Sequence, residues 1–309
     1  MNEKLDIIFW GVRGSYPVPR KETMQYGGNT SCVEIRAGEK TLILDAGTGI
    51  IPLGQYLARR IATGQRSSEL MLLFSHMHHD HVQGFPFFTP AYMPNVQLNI
   101  FGPGMTPDAL STVLEQNQSP TSFPVSLGDM GARKNIRSVR DSQIIIWDEA
   151  GIQVTEASPN FERDALIVRI HRSYAHPGGV YVYRISWRGQ SIVYATDTEG
   201  YVGTDRKLVR FAERANLLIH DAQYTEAHYR GELVGVPSTQ GYGHSTVKMA
   251  CATANAAEVG QLVLFHHDPS YDDEQLEEIE RGARERFDDV QAAYEGLTIS
   301  LPVLEHMPV

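Results

Sequence analysis

The sequence predicts an α/β protein, and three observations support this fold class. Short apolar runs typical of buried strands alternate along the chain with segments whose apolar residues recur at helical spacing. Hydrophobic residues make up 42% of the 309 residues, which is enough for a substantial core. Several predicted strands are followed directly by histidine or aspartate. Since we find no linker and no repeat of solenoid length, we expect one domain over residues 1–309.

Charge and composition limit the partners that the protein can have. A formal net charge of -10 argues against a surface that binds DNA or other long nucleic acid by neutralising phosphates. A small anionic substrate is more compatible with this net charge than a long nucleic acid is. Cys32 and Cys251 are the two cysteines, and their separation and apolar surroundings argue against a disulfide framework. With no signal-like N-terminus and no run long enough to cross a membrane, we expect a cytoplasmic location.

The first third of the chain predicts a sheet with one helix packed on it. A strand, a β-hairpin, a helix and a buried strand are predicted over residues 5–10, 32–44, 50–61 and 70–74. Asp45 follows the hairpin, where it can either brace the next loop as a hydrogen-bond acceptor or cap a turn or helix. The aromatic residues of segment 82–94 are interpreted mainly as core.

The stretch HMHHDH at residues 76–81 lies directly after the buried strand at 70–74. Strands of this kind end at the rim of a sheet, where side chains of a short loop can converge on one point. Imidazole and carboxylate groups suit a borderline cation such as zinc, and the His-x-His-x-Asp-His spacing supplies two pairs of ligands. A polar surface turn is the alternative. The position of the HMHHDH stretch directly after the strand favours a metal site over a surface turn.

The remainder of the chain alternates strands and helices after one irregular segment. Residues 96–101 predict a strand and 108–116 a helix. Segment 118–137, rich in Pro, Gly and basic residues, is interpreted as a surface excursion, a lid or the contact of a homodimer. Further strands are predicted over residues 143–147, 152–156, 165–171, 180–187, 191–195, 217–219, 261–265 and 297–301. Further helices are predicted over residues 208–215, 247–254 and 276–287.

Four strand ends deliver histidine or aspartate, namely segment 76–81, His176, Asp197 and His266. One such residue is usually structural, but several in one chain point to a shared site. This pattern resembles the metallo-β-lactamase fold family over nearly the whole chain. The resemblance implies an αββα sandwich whose strand-end loops hold one or two metal ions.

The resemblance also implies which residues bind the metals. His76, His78 and His176 would hold the first ion; Asp80, His81 and His266 the second; and Asp197 would bridge both. His171 competes with His176, and His267 competes with His266. We favour His176 because it opens a loop, and His266 because it is the first residue past its strand. Zinc is expected, with manganese or iron as alternatives.

Further stretches indicate a branch of that family. The runs HDAQ at 220–223, GHST at 243–246 and AAYEGL at 292–297 resemble the ribonuclease Z-like phosphodiesterases, which include enzymes acting on cyclic nucleotides and cyclic phosphates. Ribonuclease Z has His-Glu-Ala-Thr where this chain has residues 220–223, so Asp221 is a shortened acid. By the resemblance His244 is a catalytic residue that does not bind metal. A helix cap is its alternative role.

The resemblance therefore implies a dinuclear, metal-dependent phosphodiesterase that hydrolyses a small phosphodiester, with a cyclic nucleotide or cyclic phosphate expected. A hydroxide bridging the metals would attack phosphorus, and His244 would protonate the departing oxygen as general acid. Asp221 would keep His244 protonated, and Asp80 joins these two as a candidate catalytic residue. Arg13 and the glycines at 27 and 28 are weaker candidates for the pocket wall.

Two other activities remain open. A transfer-RNA 3′-processing endonuclease of the ribonuclease Z kind would need an arm that grips RNA. The basic stretch 133–140 is the one candidate for such an arm, and it is short. A metal-dependent acyl or thioester hydrolase would not need the additional pair of His244 and Asp221.

Overall fold

The computed structural model describes residues 4–157, 162, 164–200 and 203–303. Its strands are β1 Lys4–Gly11, β2 Cys32–Ala37, β3 Lys40–Leu44, β4 Glu69–Leu73, β5 Gln97–Pro103, β6 Arg133–Val139, β7 Ile144–Asp148, β8 Gly151–Thr155, β9 Leu166–Ser173, β10 Val180–Trp187, β11 Gln190–Ala195, β12 Leu217–Asp221, β13 Gln261–Phe265, β14 Val290–Ala292 and β15 Thr298–Pro302. Its α-helices are α1 Ile50–Ala62, α2 His79–Val82, α3 Ala109–Asn117, α4 Arg206–Ala212, α5 Glu226–Arg230, α6 Val247–Ala256 and α7 Asp273–Arg284.

The strands form two sheets. The first has the order β15-β1-β2-β3-β4-β5-β6, and the second has the order β14-β13-β12-β11-β10-β9-β7-β8. Parallel pairing runs from β3 to β6 in the first sheet and from β11 to β14 in the second. The other neighbours are antiparallel, among them the predicted hairpins β2–β3, β7–β8 and β10–β11.

Three apolar clusters show how the layers stack. The largest lies between the two sheets and draws residues from both, such as Phe9 and Phe265, whose ring centroids are 6.0 Å apart. A second cluster packs α1, α3 and the aromatic segment, including Phe85 and Phe88, on the outer face of the first sheet. A third packs α4, α6 and α7 on the outer face of the second sheet. The predicted αββα sandwich is confirmed.

Local sequence explains the elements that were predicted well. In α1 the buried residues Ile50, Leu53, Leu57 and Ile61 lie on one face, because they are three or four positions apart. The helix ends just before Gly64, which takes a positive φ of 68° that glycine adopts without strain. Asp272 begins α7 by accepting a hydrogen bond from the backbone N–H of Gln275.

Four elements were not predicted. Residues 133–139, expected to be mostly irregular, form β6 at the edge of the first sheet, paired in parallel with β5. This strand is rich in polar residues, since the edge position leaves much of it exposed, and so it lacked the apolar pattern of a buried strand. The short elements α2, α5 and β14 were also missed. Whether segment 118–137 serves as a lid or a subunit contact stays a prediction.

Among the described residues, none of the helices combines the length and the apolar character needed to span a bilayer.

Candidate metal centre

The candidate site lies where strands of both sheets end. Strand β4 ends at Leu73, and the loop and short helix α2 that follow carry the histidines and aspartate of segment 76–81. In the second sheet, Asp197 comes two residues after β11, Asp221 is the last residue of β12, and His266 follows β13 directly. Parallel strands place such residues at one edge of a sheet, which brings distant parts of the sequence together.

Two groups of side chains converge at this edge. The first contains His76, His78 and His176, and the second contains Asp80, His81, Asp197 and His266. Within each group the nitrogen and oxygen atoms lie within 4.8 Å of one another. The structure therefore brings together all seven residues that the sequence indicated as metal ligands.

Asp197 lies between the two groups, with one carboxylate oxygen near each. Its Oδ1 is 3.2 Å from His81 Nε2 and 3.3 Å from His266 Nε2. Its Oδ2 is 3.6 Å from His76 Nε2 and 3.9 Å from His176 Nε2. One carboxylate oxygen of Asp197 therefore lies near each group of histidines.

The chemistry of these side chains fits divalent metal ions. The Nε2 atom of His76 is buried and has no hydrogen-bond partner, which is costly unless another species occupies its lone pair. Burial lowers the pKa of His76 well below its ordinary value, so its ring is neutral, as a ligand must be. Burial by itself would raise the pKa of Asp197, but its neighbours His266 and His81 hold this pKa well below its usual range.

Asp45 braces the second group. Its Oδ2 is 2.8 Å from His81 Nδ1 and also accepts the hydroxyl of Tyr194, and its Oδ1 accepts the backbone N–H of Ser75. A carboxylate on the far nitrogen of a ligating histidine fixes the ring and its tautomer. Asp45 is fully buried and does not cap α1, whose first flanking residue is Gly49. The bracing interpretation accounts for these contacts.

Two further histidines are held by partners that sequence analysis did not identify. His176 donates from Nδ1 to the carbonyl oxygen of Gly243, 3.0 Å away. His266 donates from Nδ1 to Oε1 of Gln223, also at 3.0 Å. The amide nitrogen of Gln223 is in turn 3.3 Å from Asp268 Oδ2, which sets the orientation of the amide. The position of Gln223 in the sequence gives no indication that it contacts His266.

Replacing Gln223 with Leu should weaken metal binding at the second group roughly 10–100-fold, the usual cost of losing the partner of a ligating histidine. Competition with a chromophoric chelator measures this affinity. Gln118→Leu is a matched control, because Gln118 is equally buried but contacts Val125 and Met130 away from the site. Equal affinity in the two variants would show that Gln223 does not position His266.

Three residues of the site have left-handed backbone conformations, which non-glycine residues adopt at a cost. The φ angles are 60° for Asp45, 50° for Asp197 and 63° for His266. Each follows a strand and must turn its side chain sharply toward the site. This conformation carried no signal in the sequence, since glycine or asparagine is the residue expected at such a turn.

His244 and Asp221 form a close pair beside the two groups. His244 Nδ1 is 2.7 Å from Asp221 Oδ2, and His244 joins His176 and Asp197 in a set of atoms within 4.8 Å. Asp221 is fully buried and also accepts the backbone N–H groups of Ser245 and Asp197. Burial by itself would lower the pKa of His244, but Asp221 raises it to about 9. Thr246, not His244, caps α6 with its side chain.

The competing residues lie elsewhere. His171 is in β9, where its Nδ1 is 3.7 Å from Asp141. His267 is buried and donates from Nε2 to the carbonyl oxygen of Ala293. The suggestion that Arg13 lines the pocket was wrong. Its side chain is fully buried, and its guanidinium donates to the carbonyl oxygens of Gly27 and Tyr271, so it ties two loops together.

Comparison with known proteins gives four matches. A sequence model of the beta-lactamase superfamily domain matches residues 40–267. Ribonuclease Z of Pyrococcus abyssi (strain GE5 / Orsay) is 24% identical over 300 residues, which cover 86% of this chain and 87% of that protein. The solved structure of the short form of human tRNase Z has a TM-score of 0.64 at 19% identity, covering 96% of this chain and 100% of that one. Unliganded yeast PDE1 has a TM-score of 0.63 at 12% identity, covering 97% and 100%. The two structural likenesses show a shared fold.

Proposed function

The chain belongs to the beta-lactamase superfamily and is a metal-dependent hydrolase, and from this premise we propose that it cleaves a small phosphodiester, a cyclic nucleotide or a cyclic phosphate. One observation carries the proposal. His244 lies next to the candidate ligands, but its closest hydrogen-bond partner is the carboxylate of Asp221, which is not one of those ligands. Such a pair suits the transfer of a proton to a departing alkoxide, which a phosphodiester releases.

The ligand set suggests two divalent ions. His76, His78 and His176 would hold one, and Asp80, His81 and His266 the other, with Asp197 shared between them. Imidazole and carboxylate ligands suit zinc, with manganese or iron as alternatives. Ions bound there would supply positive charge for the phosphate oxygens and a water activated for attack.

The chain's own residues would then complete the reaction. Because Nδ1 of His244 donates to Asp221, Nε2 is the atom that can give a proton to the substrate. Breaking the P–O bond leaves an alkoxide, and the proton from Nε2 converts it to an alcohol. Asp221 stabilises the charged ring before this step and fixes its tautomer, so its part is positioning. Asp80, whose Oδ2 is 3.1 Å from His266 Nε2, would act mainly as a ligand.

A second candidate is processing of transfer-RNA 3′ ends. It is favoured by the likeness to ribonuclease Z, which extends over 86% of the chain. The net charge of -10 opposes it, because RNA is held largely by neutralising its phosphates. The basic stretch considered as an RNA-binding arm lies largely in the edge strand β6 and its flank, and does not form a separate arm.

A substrate panel on metal-loaded protein separates these functions. We expect turnover of 2′,3′- or 3′,5′-cyclic nucleotides or of a cyclic sugar phosphate, lost with a chelator and restored by zinc or manganese. Precursor transfer RNA and an acyl thioester serve as the competing substrates. Cleavage of precursor RNA without any turnover of small diesters would favour the ribonuclease, and thioester turnover alone would refute phosphodiesterase activity. Light scattering on the same sample tests the predicted homodimer.

A further inference from the structure

A cavity of about 590 Å³ opens beside His176. Its wall includes Tyr174, the Gly178–Gly179 turn, Glu199 and Gly241. This volume lies in the range of small-molecule sites. His176 belongs both to this wall and to the candidate metal ligands, so the cavity borders the candidate metal centre.

Tyr174 presents an aromatic ring to this cavity. Its side chain is 74% exposed, although it lies only two residues from a buried histidine of the site. The guanidinium of Arg172 stacks on the ring, with Cζ 4.9 Å from its centroid, and donates to the carbonyl oxygen of Gly178. A cation over the ring and a hydrogen bond from that cation to the turn restrict the orientation of Tyr174. The ring is therefore a partly organised stacking surface.

Tyr242 is a second exposed aromatic residue, and it is adjacent in sequence to the cavity wall. It is 55% exposed, follows the cavity residue Gly241 and precedes His244 by two positions. The loop that carries it is held by Glu199, whose carboxylate accepts the backbone N–H groups of Gly241 and Gly243. Both exposed tyrosines thus stand two residues before a histidine of the site, on loops that the structure anchors.

We infer that this cavity is a subsite for a planar aromatic group, with Tyr174 as its stacking surface. The inference rests on the proposed function, and it makes the substrate a nucleotide and not a base-free sugar phosphate. Glu199 already accepts two backbone N–H groups and the hydroxyl of Tyr229, so little of its capacity is left to read the edge of a base. Stacking tolerates every base, because each has a π face. We therefore expect weak selectivity among bases.

Equilibrium binding tests the subsite without requiring turnover. Calorimetry on the metal-loaded protein should give tighter binding of adenosine 5′-monophosphate than of ribose 5-phosphate. Tyr174→Ala should weaken nucleotide binding roughly tenfold, because one base–aromatic stack is lost. The affinity for ribose 5-phosphate should stay unchanged. Tyr174→Phe should retain the preference. Tyr294→Ala is the matched control, because Tyr294 is 40% exposed but does not line this cavity.

The binding measurements test the subsite separately from the proposed hydrolysis of phosphodiesters. Equal weakening of both ligands by Tyr174→Ala, or no preference for the nucleotide in the wild-type protein, would overturn the subsite even if phosphodiesters are hydrolysed. A nucleotide preference that depends on Tyr174 would support the subsite even if the substrate panel shows no turnover. Where cyclic nucleotides are hydrolysed, Tyr174→Ala should raise KM and leave kcat nearly unchanged, since stacking contributes to substrate binding and not to the step that breaks the bond.

Discussion

Asp197→Asn is expected to remove most of the bound metal and to lower phosphodiesterase activity by roughly 10³-fold or more. The carboxylate of Asp197 is within 4 Å of histidines from both ligand groups and is almost fully buried. An amide of the same size keeps the packing but removes the negative charge that would offset the charge of the proposed metal ions. Its NH₂ group would also point a donor toward one set of ligands, where an acceptor is needed.

Metal content and thermal stability measure this effect independently of activity. Elemental analysis should show fewer ions per chain in Asp197→Asn than in the wild-type protein. Because a ligand that binds the folded state stabilises it, zinc should raise the Tm of the wild-type protein and raise that of the variant much less. Asp148→Asn, at the end of β7, is the control, since its carboxylate accepts the nearby N–H of Ala150 and belongs to neither ligand group. Normal metal content with full activity in Asp197→Asn would refute the shared-ligand role.

His244→Ala is expected to leave metal content unchanged and to lower kcat by roughly 10²–10⁴-fold, the usual contribution of a general acid. The dependence on the leaving group makes this prediction specific. A cyclic nucleotide releases a basic alkoxide that needs a proton, whereas p-nitrophenyl diesters release a stable phenolate. The variant should therefore lose much less activity toward the p-nitrophenyl substrate than toward the cyclic nucleotide.

A positioning role for Asp221 predicts a related result. Asp221→Asn keeps a hydrogen-bond acceptor near His244 Nδ1 but removes the charge that stabilises the protonated ring. The decrease in kcat should therefore be smaller than in His244→Ala and should depend on the leaving group in the same way. His171→Ala is the control for removing a histidine outside the site. Loss of metal in step with activity in His244→Ala would assign His244 to the ligands instead.

Much of the fold could be predicted because its elements have strong local patterns. Strand β4 is a continuous apolar run, and α1 repeats its apolar residues every three or four positions. The edge strand β6 was missed for the opposite reason. It is stabilised by pairing with β5, and its exposed polar side chains give it the composition of a loop.

The candidate site likewise has features that could be predicted from the sequence and features that could not. The ligand types and the spacing within segment 76–81 are visible in the chain, and the position of His176 and His266 just beyond a strand distinguished them from His171 and His267. The partner of His266 could not be predicted, because Gln223 is 43 residues away and nothing local marks it as a neighbour. The same holds for Tyr174, whose significance comes from the cavity beside it.

By itself the sequence determined most of the strands and helices, and it showed which imidazole and carboxylate groups stand at strand ends. The tertiary structure decided which of these groups meet and how they are oriented. Two sheets, each with its own run of parallel strands, bring Asp197 between both sets of histidines and turn its backbone into the left-handed region. Distances between residues more than a hundred positions apart depend on how those sheets pack, and packing is a property of the whole core.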